Sequence, residues 1–214
     1  MKRHLVIVGA GGFGRELYGI ACESVGFGTD FDVKGFLDAR ADALAGFDGY
    51  PPVVGSPADY VPAPDDVFIT ALGDVAARRR CVDALVARGA RFMSLVHRSA
   101  SLGPNVRIGA GSLVAQNAVV SADAVVGCHA CIFQNTVVGH DARVGDFAHV
   151  YALCALGGGV TLGAGAVVYP GARIVPRRTV GARAVVGIGA VVLVNVRAGE
   201  TVFGNPAKPV MEVK

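Results

Sequence analysis

Every sixth residue from Leu102 to Val192 is Leu, Ile or Val, sixteen times in succession, and no other phase holds more than seven. A period of six fits neither the 3.6 of an α-helix nor the 2 of an ordinary strand. It suits a parallel β-helix, in which each flat side uses one hexad and three hexads close a triangular coil. The aliphatic residue fills the interior, and the residue four later, usually Ala, Ser, Thr, Cys or Val, packs beside it. Gly directly follows the aliphatic residue in nine hexads. These glycines are expected at tight corners with positive φ. Residues 102–197 thus predict about five coils, stacked at the ~4.8 Å spacing of neighbouring strands.

Ahead of this array the pattern alternates between strand and helix. Strands are expected at "HLVIVGA", "DVKGFLD", "DVFITAL" and "RFMSLVH", with helices over 12–25 and 75–89. The chain therefore divides into an α/β domain, 1–97, and a β-helix domain, 98–214. The first strand-to-helix turn carries Gly9-x-Gly11-x-x-Gly14, with Gly12 and Phe13 inside it. Bare backbone amides and a helix N-terminus at such a turn can hold phosphate oxygens, or the glycines simply permit a tight turn. Asp38 ends the second strand, in position to meet a ribose hydroxyl, and Gly73 and Asp74 form a second turn after the third. A dinucleotide site needs a second half-sheet that this length does not supply. The domain reads as a Rossmann-like half that binds a mononucleotide.

Apolar residues make up 52% of the 214, enough for real cores without disulfides. Five cysteines, an odd number, favour reduced thiols and a cytoplasmic setting. The opening "MKRHLVIVGAGGFGRE" imitates a signal peptide, but its apolar run meets Arg15 and Glu16. No segment approaches the 18 or so apolar residues of a spanning helix, so no membrane insertion is expected. Net charge is +3 and the arginines are not interleaved with aromatics, which argues against nucleic acid as a partner. Residues 96–214 nevertheless hold ten Lys and Arg against five Asp and Glu. Cys128, His129 and Cys131 lack a second downstream ligand pair, so they read as packing and no metal is expected.

The hexad array resembles the left-handed β-helix of the hexapeptide acyltransferases, and "VFGNPAKPV" is similar to their C-terminal segment. The two-domain order resembles the bacterial acetyltransferases of sialic acids and nucleotide-linked amino sugars. The similarity runs through "VGAGGFG", "GFLD", "ALGD", "LVHRSA", "VGHDARVGDFAHV", "LGGGVTLG" and "GNPAK". It implies an acetyl-CoA-dependent sugar O- or N-acetyltransferase in surface glycan or polysaccharide synthesis. It also implies a nucleotide-linked sugar as acceptor and a homotrimer with acetyl-CoA between adjacent β-helices. Gly9, Gly11, Gly12, Phe13, Gly14, Asp38, Gly73 and Asp74 would then face the nucleotide sugar. Relatives often carry His at Phe13 and Asn at Phe133, both where they hold the sugar nucleotide.

Two histidines stand out within the array. His140 is second after Val138, a position that points out of the coil, and its stacking neighbours are Ala122 and Gly158. A large polar side chain between such small ones should stand in a dent. An imidazole titrates in the range a general base needs, and Asp141 can hold its tautomer. Asp123, one coil away, would repel Asp141 if the two lay close. The resemblance makes His140 the base, Asp141 its partner and His149 a contact to acetyl-CoA. Gly158 offers an unshielded backbone to the oxyanion. Gly187 and Lys208, with Arg173, Arg177, Arg178, Arg183 and Arg197, lie in the last coils, where the family places the CoA tail. Two other readings stay open: a non-catalytic nucleotide-sensing scaffold, and a metal hydrolase resembling the γ-carbonic anhydrases.

Overall fold

The computed structural model describes residues 2–210 and divides into two compact units, Met1–Arg98 and Ser99–Lys214. The first unit runs β1 (Arg3–Val8), α1 (Gly12–Cys22), β2 (Phe31–Leu37), β3 (Val53–Gly55), β4 (Asp66–Thr70), α2 (Val75–Val86) and β5 (Leu95–Val96). A parallel four-stranded sheet has the order β3-β2-β1-β4. β1 and β4 are central apolar runs whose residues Leu5–Val8 and Val67–Ile69 are almost wholly buried, as a sheet covered on both faces requires. Two expectations are corrected. β3 was not foreseen, because three half-buried residues between prolines and a turn carry no period-two signal. "RFMSLVH" forms only the short β5 and two isolated bridges, from Phe92 to Phe68 and from His97 to Ser24. Both helices also end earlier than expected, at Cys22 and Val86.

The second unit is the left-handed β-helix, with two-residue strands on three faces. One face runs from Ser101–Leu102 to Val191–Val192, the next from Arg107–Ile108 to Thr179–Val180, and the third from Leu113–Val114 to Val185–Val186. Partners along a face are eighteen residues apart, as in Val137↔Ala155 and Cys131↔His149. Fourteen of the sixteen hexad aliphatics are buried; Leu102 and Ile108, in the first coil, are the exceptions. Each such burial is worth roughly 1.5–3 kcal/mol of transfer free energy, which lets two-residue strands hold. Interior hydroxyls are satisfied: Ser112 Oγ donates to Gly127 O at 2.7 Å and accepts from the Ala130 N–H at 3.0 Å. The final coil is two residues shorter, since Val196 bridges Val180 and Val202 pairs with Val186. An antiparallel strand, Lys208–Pro209, closes this end against Thr201–Phe203.

The glycines after the aliphatic positions are not the positive-φ residues. The left-handed conformation falls two residues later, at Asn105, Asn117, Asp123, Asn135 and Asp141 among others. Glycine is needed directly after the aliphatic residue because the next coil passes too near. A Cβ at Gly139 would stand 2.6 Å from the Gly158 nitrogen, and one at Gly163 2.4 Å from that of Ala182.

Candidate active site

His140 and Asp141 form one corner turn of the β-helix. The Asp141 N–H donates to Ala122 O at 3.0 Å, and His140 O accepts from the Gly159 N–H at 2.8 Å. Coils on both sides thus clamp the turn. Asp141 sits at φ 59°, a left-handed conformation that Asp tolerates better than most residues. The imidazole Nδ1 lies 2.7 Å from Asp141 Oδ2, and the two side chains are 71% and 67% exposed. With the carboxylate taking Nδ1–H, the other ring nitrogen, Nε2, is left to accept a proton. That nitrogen lies only 2.4 Å from where a Cβ on Gly158 would stand. The dent expected from the stacking rule is therefore filled by the ring itself, lying against Gly158. The Gly158 carbonyl accepts from the Arg177 N–H, while its own N–H has no acceptor among the described residues.

Asp123 does not stand as a bare like charge beneath Asp141. Its Oδ1 accepts from Asn105 Nδ2 at 2.9 Å, and Arg107 and Arg143 line the same open groove as both carboxylates. Two guanidiniums facing two carboxylates reduce the repulsion that the spacing alone suggested.

His149 lies on the third face, and its ring is 1% exposed. It packs against Phe133 at 4.9 Å and Tyr151 at 4.4 Å between ring centroids. The stack continues from Tyr151 to Tyr169 at 5.2 Å. Gly187 is buried, and the Phe203 ring lies 2.2 Å from where its Cβ would be. Phe203 comes from the shortened last coil, whose register the hexad count did not follow. Lys208 is exposed on the closing strand opposite Phe203. Cys128 is exposed and Cys131 buried.

In the first unit the sheet order reverses between β1 and β4, so their carboxyl ends open a crevice of the kind that binds ligands in open α/β sheets. The glycine turn opens there. Gly9 sits at φ 106° and its N–H donates to Leu37 O at 2.7 Å. A Cβ at Gly14 would come 2.0 Å from Gly9 O, so only glycine lets α1 pack this close. At Gly11, Gly12 and Gly73 a Cβ would meet nothing within 4 Å, which leaves space above the turns. Gly11 caps α1 without a side chain, so the first amides of the helix stay available. The turn after β4 is different. Asp74 Oδ1 accepts from the Ala77 N–H at 2.6 Å and caps α2, a role the sequence reading missed.

Asp38 braces the glycine turn. Its Oδ2 accepts from the Ala10 N–H at 3.0 Å and its Oδ1 from the Arg40 N–H at 3.0 Å. Burial pushes its carboxyl up, but the Ala10 and Arg40 amides and the Arg40 guanidinium outweigh this and hold it below the usual value. Phe13 is half-buried on α1. A pair not singled out from the sequence also lies beside α1: the Arg15 guanidinium stands 3.6 Å over the Phe47 ring. Thirty-two residues separate the two, so no local pattern signals their meeting.

Residues 4–85 match the PglD N-terminal domain and residues 86–186 the GMPPB C-terminal domain. No curated protein sequence matches the chain. Among solved structures, PerB from Caulobacter crescentus, in complex with CoA and GDP-perosamine, is 30% identical over 97% of both chains, with a TM-score of 0.86. The acetyltransferase domain of PglB from Neisseria gonorrhoeae, in complex with acetyl coenzyme A, is 28% identical over 98% of this chain and 100% of its own, TM-score 0.81. WeeI from Acinetobacter baumannii is 25% identical over 98% and 100%, TM-score 0.69. Likeness at this identity along nearly the whole chain, with a Rossmann-like half followed by a hexapeptide β-helix, places the chain in the nucleotide-amino-sugar acetyltransferase family, as an acyltransferase.

Proposed function

We propose that this chain transfers an acetyl group from acetyl-CoA to an amine or hydroxyl of a nucleotide-linked sugar, with His140 as general base. The exposed His140–Asp141 pair, clamped between coils and set against Gly158, is the observation that carries this reading. His140 Nε2 takes the acceptor's proton as the acceptor atom attacks the thioester carbonyl. Asp141 holds the Nδ1 proton and favours the imidazolium that forms. The Gly158 N–H donates to the oxyanion of the tetrahedral intermediate. As the intermediate collapses, the C–S bond breaks and the leaving thiolate takes the proton from Nε2.

The nucleotide is assigned to the first unit, with its phosphates over Gly9, Gly11, Gly12 and Gly14 at the uncapped start of α1. Gly73 leaves the second turn open, and Asp38 fixes the first. For acetyl-CoA, Arg173, Arg177, Arg183, Arg197 and Lys208 supply positive charge along the last coils. His149 is assigned to the wall supporting the acetyl-CoA cleft, since its ring is packed under Phe133 and Tyr151. A homotrimer with that cleft between subunits, a cytoplasmic location and a place in surface glycan synthesis belong to the same reading. The PerB complex with CoA and GDP-perosamine supports the choice of substrates.

Thiol release from acetyl-CoA in the presence of an amino-sugar nucleotide tests the chemistry. His140→Ala is expected to lower kcat by about 10²–10⁴-fold, the usual share of a general base, with an unchanged melting temperature. Full activity in that variant removes the role. Sedimentation of the purified chain tests the trimer.

A further inference from the structure

We infer that the acceptor is a zwitterion, an amino sugar that also carries a carboxylate, with Arg143 and Arg107 holding that carboxylate. The inference rests on the proposed acetyl transfer at His140 and names the class of sugar it takes. It comes from the open groove beside the dyad, which Asp141 lines together with Asn105, Val106, Arg107, Asp123 and Arg143.

The repeat sets the charges of this groove in two rows. Asp141 and Asp123 stand one coil apart on the corner, where the Asp141 N–H donates to Ala122 O and the Asp123 N–H to Pro104 O. Arg143 and Arg107 stand on the adjoining face, each in register with Val125, and so roughly 10 Å apart at two strand spacings. The next outward positions along this face are Thr161 and Thr179. Its cations are thus confined to the coil of the dyad and those before it.

Neither row is used up. Among the described residues the two guanidiniums have no hydrogen-bond acceptor and no ion-pair partner, so no pair closes the groove. Asp141 Oδ2 takes the imidazole Nδ1–H and Asp123 Oδ1 the Asn105 amide, which leaves Asp141 Oδ1 and Asp123 Oδ2 open. An anion alone meets the carboxylates, and a cation alone meets the guanidiniums. A ligand with both charges satisfies both rows.

The acceptor amine supplies the cation, since a sugar amine, like an α-amino group, is largely protonated at pH 7. The carboxylate row draws the ammonium to the corner that holds His140. One proton leaves to solvent, and the second passes to Nε2 as the amine attacks, giving the amide and the free thiol. The anion belongs to the sugar, because the phosphates are assigned to the glycine turn of the first unit. A carboxylate fits the parallel N–H fork of a guanidinium, as a methyl or hydroxymethyl group does not.

Thiol release from acetyl-CoA tests this with 3-amino and 4-amino hexoses linked to UDP or GDP, each as the neutral sugar and as its 6-carboxylate. The kcat/KM values should favour the carboxylate at least about tenfold, the worth of one charge-assisted pair. Arg143→Thr, which installs the residue found at the next two positions of its row, should lower that ratio about tenfold through the KM of the sugar. Arg107→Thr should lower it less, and Arg143→Lys, which keeps the charge but not the fork, should retain part of it. Unchanged melting temperature and acetyl-CoA KM in the variants verify folding. Equal kcat/KM for the two sugar classes overturns the carboxylate assignment and leaves the acetyl transfer intact. An unchanged ratio in Arg143→Thr also overturns it: if both sugars fall together, the arginine serves the nucleotide phosphates. Thiol release with none of the sugars overturns this inference together with the proposed acceptor.

Discussion

Gly158 shows how one missing side chain sets the geometry of the candidate active site. An alanine Cβ there would meet His140 Nε2 at 2.4 Å, well inside contact distance, so the ring would have to swing away. The backbone at Gly158 is not in the left-handed region, which keeps the cost to the fold small. Gly158→Ala should therefore cut turnover at least about tenfold while shifting the melting temperature little, measured by thiol release and thermal denaturation. The same reasoning marks what the residues themselves disclosed. The neighbours of His140 and Asp141, Ala122 and Gly158 among them, were legible because an eighteen-residue repeat gives them directly. The burial of His149 was not, because it depends on the aromatic rings of Phe133 and Tyr151 crossing from the adjacent column. The covering of Gly187 by Phe203 was hidden for a related reason: Phe203 belongs to a coil of different length.

At the scale of elements, hexads proved far more readable than the α/β sheet. Each hexad repeats one local solution sixteen times, so a chance match is quickly excluded. The three residues of β3 have no such redundancy. Even within the hexads the purpose of glycine was misread, since contact between coils and not φ dictates it. The sheet carries a testable electrostatic feature at the start of β4. Asp66 has a fully buried side chain and accepts from Lys34 Nζ at 2.8 Å, Tyr60 Oη at 2.7 Å and the Ala63 N–H at 2.9 Å. Burial raises its pKa, but Lys34, the Ala63 amide and Tyr60 together hold it below the usual carboxylate value. A carboxyl depressed on folding stabilises above its unfolded pKa, near 3.9, and that contribution is lost as pH falls through the folded value. Asp66→Asn should cost about 1–3 kcal/mol at pH 7. Urea midpoints of the two proteins should converge below about pH 4.

Over the whole molecule, charge and repeat do different work. Residues 96–214 carry the positive excess, ten cations against five anions, although the chain total is only +3. If those cations attract the phosphates of acetyl-CoA, its KM should rise several-fold as the Debye length shortens from about 14 Å to about 6 Å with added KCl, while kcat holds steady. A KM indifferent to salt would assign the arginines to solvated surface. The division into an α/β unit and a β-helix was readable from the change of period near residue 98, because period follows from geometry. The reach of Arg15 to Phe47 was hidden, because it joins segments no periodicity relates. Each rung of the prism bonds only to the rungs before and after it, so the dyad's surroundings depend on its immediate neighbours. Whole blocks of eighteen residues could then be inserted or removed farther along without disturbing the pair, leaving length free to vary while the chemistry keeps its address.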